Sequence, residues 1–374
     1  EKERHIPEHV MFNILPRLPA KSLARFKCVC KSWSSFISAL KSDNHELAFS
    51  TVHSLHFVNL HPEATNNQLK SVKFNFPFGG ALHKLISSCN GLLCILVEKE
   101  RRTRLADLVL WNPLTEMYRT ISISTVGLSK NMFGFGYENT FGFGYYHSTN
   151  DYKIVRLIED DSRTRFEIYS LNTNSWEKGT LPWHISALHS CKYSGTIVNA
   201  ALYWRIDRMV DTKGPYEKLL FDGSQVILRF DLVDDKFSLI LPPNDKRTNW
   251  IRIMHIPRMK KLDPRLYLAP VLFHKSSEVL LHLKDIFYNC GKKLFFLYSP
   301  KERTFRKLQI ESMEQFTFRK EITYTPSLTS LTRRRERNSI EVRPVEKIAE
   351  KKVSKKKLEE DDDCRGFYLL FACR

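Results

Sequence analysis

Two hydrophobic periods divide the chain. Between residues 7 and 40, apolar side chains recur every three or four positions. They are Val10, Ile14, Leu15 and Leu18, then Phe26, Val29, Cys30, Trp33, Phe36, Ile37 and Leu40. That spacing lines one face of successive helices. Pro7 suits a first helical turn, where a missing N–H costs nothing. Pro16 ends or bends the first helix, Leu18-Pro19 forces an extended link, and a helix restarts at Ala20. Three helices this short bury too little apolar surface to stand alone. The module is expected to pack on a partner or on the rest of the chain.

After residue 50 the pattern shortens to β-rich runs between turn residues: 92–97, 108–111, 152–158, 166–171, 201–206, 226–232, 278–283 and 294–299. Four of these runs open a repeated unit: LVLWNPLTEMYRTI, FEIYSLNTNSWEKG, ILRFDLVDDKFSLI and LFFLYSPKERTFRKL. Each reaches an aromatic residue (Trp111, Tyr169, Phe230, Tyr298), turns through polar residues, and meets a second large residue (Met117, Trp176, Phe237, Phe305). That is the form of a strand–turn–strand hairpin. The first aromatics are 58, 61 and 68 residues apart. Each unit also has an apolar run upstream, such as GLLCILV or ALYWRI. Sheets repeating at that length predict propeller blades, somewhat longer than the roughly 50 residues of a kelch blade. The aromatics are read as packing between sheets rather than as ligand contacts.

Composition changes this picture little, and charge changes it locally. The 374 residues, 42% hydrophobic, suffice for one large domain plus a small module and exclude a disordered chain. The net charge of +18 is uneven: residues 46–245 are neutral, whereas 246–307 carry +11. A duplex-binding face spread over the whole domain is disfavoured by that distribution, and nucleic acid with it. Apolar runs are too short for a membrane span, and the charged start EKERHIPEHV lacks the apolar stretch of a secretory signal. Eight irregularly spaced cysteines predict free thiols in a reducing compartment, cytoplasmic and/or nuclear.

Sharper chemistry finds little support. His5-Ile6-Pro7-Glu8-His9 matches a zinc-protease pattern, but Pro7 breaks the regular helix that the pattern requires. Gly134-Phe135-Gly136 and Gly142-Phe143-Gly144 lack the Lys-Ser/Thr of a phosphate loop. Cys28/Cys30 and Cys89/Cys94 lack a second knuckle. No catalytic residue, metal site or cofactor is expected.

The segment IPEHVMFNILPRLPAKSLARFKCVCKSWSSFI resembles an F-box, the adaptor-binding module of Skp–cullin–F-box ubiquitin ligases. Downstream, SCNGLLCI, LWNPLT, FGFGYYHSTNDYKIVRL, EIYSLNTNSW, VNAALYW and FDLVDDKFSLILPP resemble the F-box-associated domain of a large plant family. The expected fold class is then α+β multidomain, a small N-terminal three-helix F-box followed by an all-β, propeller-like domain. Boundaries are expected at 1–45 for the F-box, 46–332 for the β domain (divergent after 245) and 333–374 for a low-complexity charged tail, expected to be disordered.

The resemblance implies a non-catalytic specificity subunit. Its partners would be a Skp-type adaptor, cullin through it, and a protein substrate held by the β domain. The adaptor contacts it implies are Ile6, Pro7, Ile14, Leu15, Leu18 and Pro19, with Leu23, Val29, Cys30 and Trp33 shared between contact and internal packing. Phe26, Phe36 and Ile37 are read as internal. Trp33 would be the anchor, since buried Trp dominates interface energetics. Lys260, Lys261, Lys292 and Lys293 would form a basic rim for an acidic substrate, set against a plain solvated edge. The competing function is an interaction protein outside ubiquitin transfer, including a nucleic-acid binder driven by the basic segments. Two departures from the family pattern stand out. FGFGY occurs twice, read as a duplication in a surface loop, and the divergence after Pro243 predicts that part of a blade is missing.

Overall fold

Strands form where the sequence alternates or runs apolar between turn residues. The computed structural model describes residues 10–11, 14–15, 18, 20–39, 46–51, 54–59, 68–80, 82–99, 106–123, 139–160, 163–183, 185, 194–206, 226–240, 256, 266–273, 278–285, 294–310, 320–327, 329 and 331. Among them are two helices, α1 (Ala20–Phe26) and α2 (Lys31–Ala39). The first of the three expected helices falls largely outside the described residues, as does the charged tail.

Among the described residues the β strands make five sheets. β5 (Leu82–Cys89), β6 (Leu92–Glu98), β7 (Ala106–Asn112) and β8 (Met117–Ser122) form an antiparallel meander. So do β9 (Asn139–Tyr146), β10 (Asp151–Asp160), β11 (Arg163–Ser170) and β12 (Ser175–Thr180). A third meander joins β13 (Thr196–Val198), β14 (Ala201–Ile206), β15 (Val226–Asp231) and β16 (Phe237–Ile240). These three sheets, the helices and the segment Thr325–Leu331 belong to one compact unit. In the other unit, β17 (Leu266–Phe273), β18 (Val279–Asp285), β19 (Leu294–Ser299) and β20 (Thr304–Ile310) form a meander whose edge pairs in parallel with β3 (Gln68–Leu69). The remaining sheet has the order β21-β1-β2-β4, with β1 (Glu46–Ser50), β2 (Ser54–Asn59), β4 (Ser71–Asn75) and β21 (Lys320–Tyr324).

This corrects the expectation of an incomplete blade. The divergent stretch supplies all four strands of the β17–β20 meander, and β21 pairs antiparallel with β1, Ala48 opposite Ile322. Backbone pairing needs alternation and a turn rather than a particular motif, so the strands persist where the family words fade.

The four repeated units are the last hairpins of four meanders, and they share one geometry. Facing residues stand seven apart: Trp111 with Tyr118, Tyr169 with Trp176, Phe230 with Phe237, and Tyr298 with Phe305. In the first unit the partner is therefore Tyr118 and not Met117, which pairs with Asn112. The ring centroids are 5.1 Å apart in Tyr169–Trp176, 4.7 Å in Phe230–Phe237 and 4.8 Å in Tyr298–Phe305. Such cross-strand aromatic pairs stabilise a sheet locally. Five residues after each first aromatic the backbone turns left-handed, at Glu116, Asn174, Asp235 and Arg303. The residue directly after each first aromatic accepts a turn N–H. Asn112 Oδ1 takes Leu114, Ser170 Oγ takes Thr173, Asp231 Oδ1 takes Val233 and Ser299 Oγ takes Glu302. Short oxygen-bearing side chains mimic a backbone turn in this way, which is why the position is Asn, Ser or Asp in all four.

Burial runs from inner to outer strands. β6 is buried along its whole length, whereas β12, SWEKGT, is mostly exposed. One charged row crosses the sheet of β9–β12. Fully buried Arg156 bonds Glu167 at 2.8 Å, and Lys178 reaches the other carboxylate oxygen at 3.2 Å. The second FGFGY copy, the one ahead of DYK, lies in β9. A side chain at Gly142 would stand 2.5 Å from the Trp204 ring, so that glycine permits close sheet packing rather than phosphate binding. The first copy lies outside the described residues.

Candidate functional site

The helical module is assembled around Leu15 and Ile37, both fully buried. Leu18, Leu23, Phe26, Trp33 and Phe36 pack around them, half-buried. Helix α1 closes through a tight turn, with N–H groups of Lys27, Cys28 and Val29 donating to carbonyls of Leu23, Arg25 and Phe26. Cys30 then caps α2: its Sγ accepts the Trp33 N–H at 3.5 Å. The Phe26 and Trp33 rings meet edge to face, centroids 5.7 Å apart. That T-shaped contact fixes the two helices against each other.

The expected adaptor residues separate into classes. Ile14 and Val29 are exposed, at 43% and 59%, and Cys28 and Cys30 are exposed as well. Leu18, Leu23 and Trp33 straddle the interior and the surface. Leu15 is wholly internal, because its side chain fills the space against Ile37. The outward member of the Ile14-Leu15 pair is thus Ile14 alone. Ile6, Pro7 and Pro19 lie outside the described side chains, and so do Lys260, Lys261, Lys292 and Lys293. Of the residues read as internal, Ile37 is buried, whereas Phe26 and Phe36 are half-buried like Leu18, Leu23 and Trp33.

One packing residue comes from outside the helices. Leu114, in the turn between β7 and β8, joins the same apolar cluster. Its backbone N–H donates to Asn112 Oδ1 at 3.0 Å. Asn112 is completely buried, and its Nδ2 donates to the carbonyls of Ser327 and Thr329, each at 2.9 Å. The Tyr152 hydroxyl hydrogen-bonds the side chains of Thr329 and Asn90, and burial pushes its pKa up to about 12. Burial likewise pushes the Cys89 thiol up to about 12. The sequence pattern, in the repeated unit LVLWNPLTEMYRTI and in LWNPLT, singled out neither Asn112 nor Leu114. The available signal was Asn112 itself, the one carboxamide among four equivalent turn positions held otherwise by Ser and Asp.

Among the described residues no group of three or more His, Cys, Asp or Glu is placed to hold a metal ion, and no helix is long and apolar enough to cross a membrane.

Comparison with known proteins gives consistent matches. Residues 4–45 match the F-box domain, and residues 48–262 match the F-box associated beta propeller domain. An F-box/kelch-repeat protein of Arabidopsis thaliana is 29% identical over 273 residues, covering 64% of this chain and 66% of that protein. A putative F-box protein of the same plant is 26% identical over 214 residues, 54% of each chain. A putative F-box only protein, also from Arabidopsis thaliana, is 29% identical over 254 residues, covering 64% of this chain and 60% of that protein. The matches thus span between about half and two thirds of these relatives' lengths.

Proposed function

Because this chain belongs to the F-box associated beta propeller family and carries an F-box ahead of that domain, we propose that it is a non-catalytic substrate-recognition subunit of a Skp–cullin–F-box ubiquitin ligase, working in the cytoplasm and/or nucleus. The helical module docks a Skp-type adaptor, cullin joins through that adaptor, and the β domain holds the protein to be ubiquitinated. Chemistry then lies in other subunits, and this chain contributes proximity.

The observation that carries the reading is the F-box match over residues 4–45 ahead of the propeller domain, with Ile14 and Val29 exposed on a module whose Leu15 and Ile37 are buried. The basic rim of Lys260, Lys261, Lys292 and Lys293 belongs to the proposal only if the substrate is acidic. Reversing those four charges would then weaken substrate capture and its salt dependence together.

The test is a pull-down with a Skp-type adaptor. Wild type is expected to bind, and Ile14→Asp with Val29→Asp to lose binding by at least about tenfold with an unchanged thermal melt. Full retention by the double variant would sink the interface assignment.

A further inference from the structure

We propose that Leu114 is a positioning residue for the adaptor: the β7–β8 turn completes the core of the helical module, and the module presents its adaptor-binding side chains correctly only when seated on that turn. The inference rests on the substrate-recognition reading above, which it deepens by naming a residue outside the F-box on which adaptor binding depends.

The four equivalent turns supply the comparison. The third residue after the first aromatic is Leu114 in the first unit, Asn172 in the second, Val233 in the third and Lys301 in the fourth. Leu114 and Val233 share one local frame. Each donates its N–H to the Oδ1 of the residue two before it, Asn112 at 3.0 Å and Asp231 at 2.8 Å. Their surroundings differ. Val233 is 55% exposed, whereas Leu114 is half-buried and packs into the cluster around Leu15 and Ile37. Turn chemistry does not require an apolar side chain at this position, since Asn and Lys occupy it in the other two units. What the leucine of the first turn does is fill the helical module.

The module needs that contribution. Helices α1 and α2 have 7 and 9 residues, short of the roughly 12–15 at which an isolated helix is even marginal. Among the described side chains of the module, only Leu15 and Ile37 are buried. Four of the residues assigned to the adaptor, Leu15, Leu18, Leu23 and Trp33, belong to the cluster that Leu114 joins, and Ile14 directly precedes one of them. A change in how that cluster packs therefore moves the side chains offered to the adaptor.

The turn is built to serve as a fixed seat. Pro113 restricts one φ, and completely buried Asn112 accepts the Thr115 N–H at 3.4 Å besides that of Leu114. The Asn112 Nδ2 then ties the turn to the carbonyls of Ser327 and Thr329. Ser170, Asp231 and Ser299 could not make that second pair of bonds, because a hydroxyl has one donor and a carboxylate none. The doubly anchored turn is the one that carries the helices. Holding a binding element in shape beforehand lowers the ordering cost of association.

The test uses the full chain and a Skp-type adaptor in titration calorimetry. Leu114→Asn gives the first turn the residue that the second turn already uses, and it should weaken adaptor binding at least about tenfold. Leu114→Met keeps the apolar contact and should bind as wild type does. Val233→Asn makes the same polar change at the uncovered turn and should also bind as wild type does. Wild-type affinity in Leu114→Asn, or an equal loss in Val233→Asn, would overturn the proposal. Should Leu114→Asn not fold, hydrogen exchange on wild type decides. Adaptor binding should raise protection of the Leu114 and Thr115 amides, since coupling is reciprocal, and no gain overturns the proposal. An adaptor that ignores wild type sinks the substrate-recognition reading instead. The seat is then judged on the free chain, where Leu114→Asn should cut protection of the α1 and α2 amides at least about tenfold while β6 is unchanged. Unaltered helix protection there overturns it.

Discussion

Leu114 and Asn112 share one turn and face two ways. The Leu114 N–H is held by Asn112 Oδ1, the Leu114 side chain packs into the core of the helical module, and Asn112 Nδ2 holds the carbonyls of Ser327 and Thr329. A single β7–β8 turn thereby anchors both a helical module from the start of the chain and a segment from far downstream.

Removing that carboxamide is expected to be costly. Asn112→Ala deletes four hydrogen bonds at a completely buried position and should lower stability by about 2–4 kcal/mol. Asn112→Asp keeps the acceptor for the turn but sets a carboxylate oxygen against two carbonyls, so it should cost more than the isosteric change suggests. Urea unfolding checks both, and a neutral Asn112→Asp would refute the assigned orientation.

Leu114→Ala should loosen the helical module selectively. The expected cost is about 1–2 kcal/mol for a half-buried leucine. Limited proteolysis should cut within residues 15–37 sooner, while protection of β6 stays unchanged. Uniform loss of protection would show that the contact is not local.

The Arg156–Glu167 pair offers a sharper contrast. Glu167→Ala removes the carboxylate that bonds a fully buried guanidinium and should cost about 3–5 kcal/mol. Replacing both residues with Met and Leu should cost much less, because the desolvation penalty then disappears with the charges. Thermal melts of the single and double variants make the comparison.

Ala200 carries left-handed strain in a two-residue hairpin, with Asn199 and Ala200 at φ 46 and 59. Such turns favour glycine at the second position. Ala200→Gly should raise stability by about 1 kcal/mol, less the entropy glycine returns to the unfolded chain. A lowered melting temperature would contradict the turn geometry.

Alkaline pH should weaken the fold around Tyr152 and Cys89. Burial raises Tyr152 and Cys89 to about 12 in the folded chain. Unfolded values lie near 10 and 8.5. The folded state therefore binds these protons more tightly. Their stabilisation is full below about pH 8.5 and is lost as pH rises toward 12. Unfolding free energy against pH should fall over that window, and Tyr152→Phe with Cys89→Ala should flatten the slope. At pH 8, iodoacetamide should modify exposed Cys28 and Cys30 before Cys89.

Much of this architecture is local and was therefore legible. Strands at Ala201–Ile206 and Leu294–Ser299 form at the positions that alternation predicts. The hairpin repeat is visible because a seven-residue return places one large residue opposite another. The slip to Met117 arose because sequence shows which large residues flank a turn but not which of two neighbours faces across it. Only the ladder register decides that.

The helical period, the β repeat and the family words are properties of neighbouring residues, and the sequence alone determined them. What it could not determine is which apolar residue of the helical module stays outside. Ile14 and Leu15 are adjacent and chemically alike, and only packing against Ile37 and Leu114 separates them. Nor could it show that Asn112 meets Ser327 and Thr329, 215 and 217 residues away. The tertiary structure alone decided both, because a hydrogen bond or a packed side chain depends on distance in space, and spacing along the chain carries no information about contacts that remote.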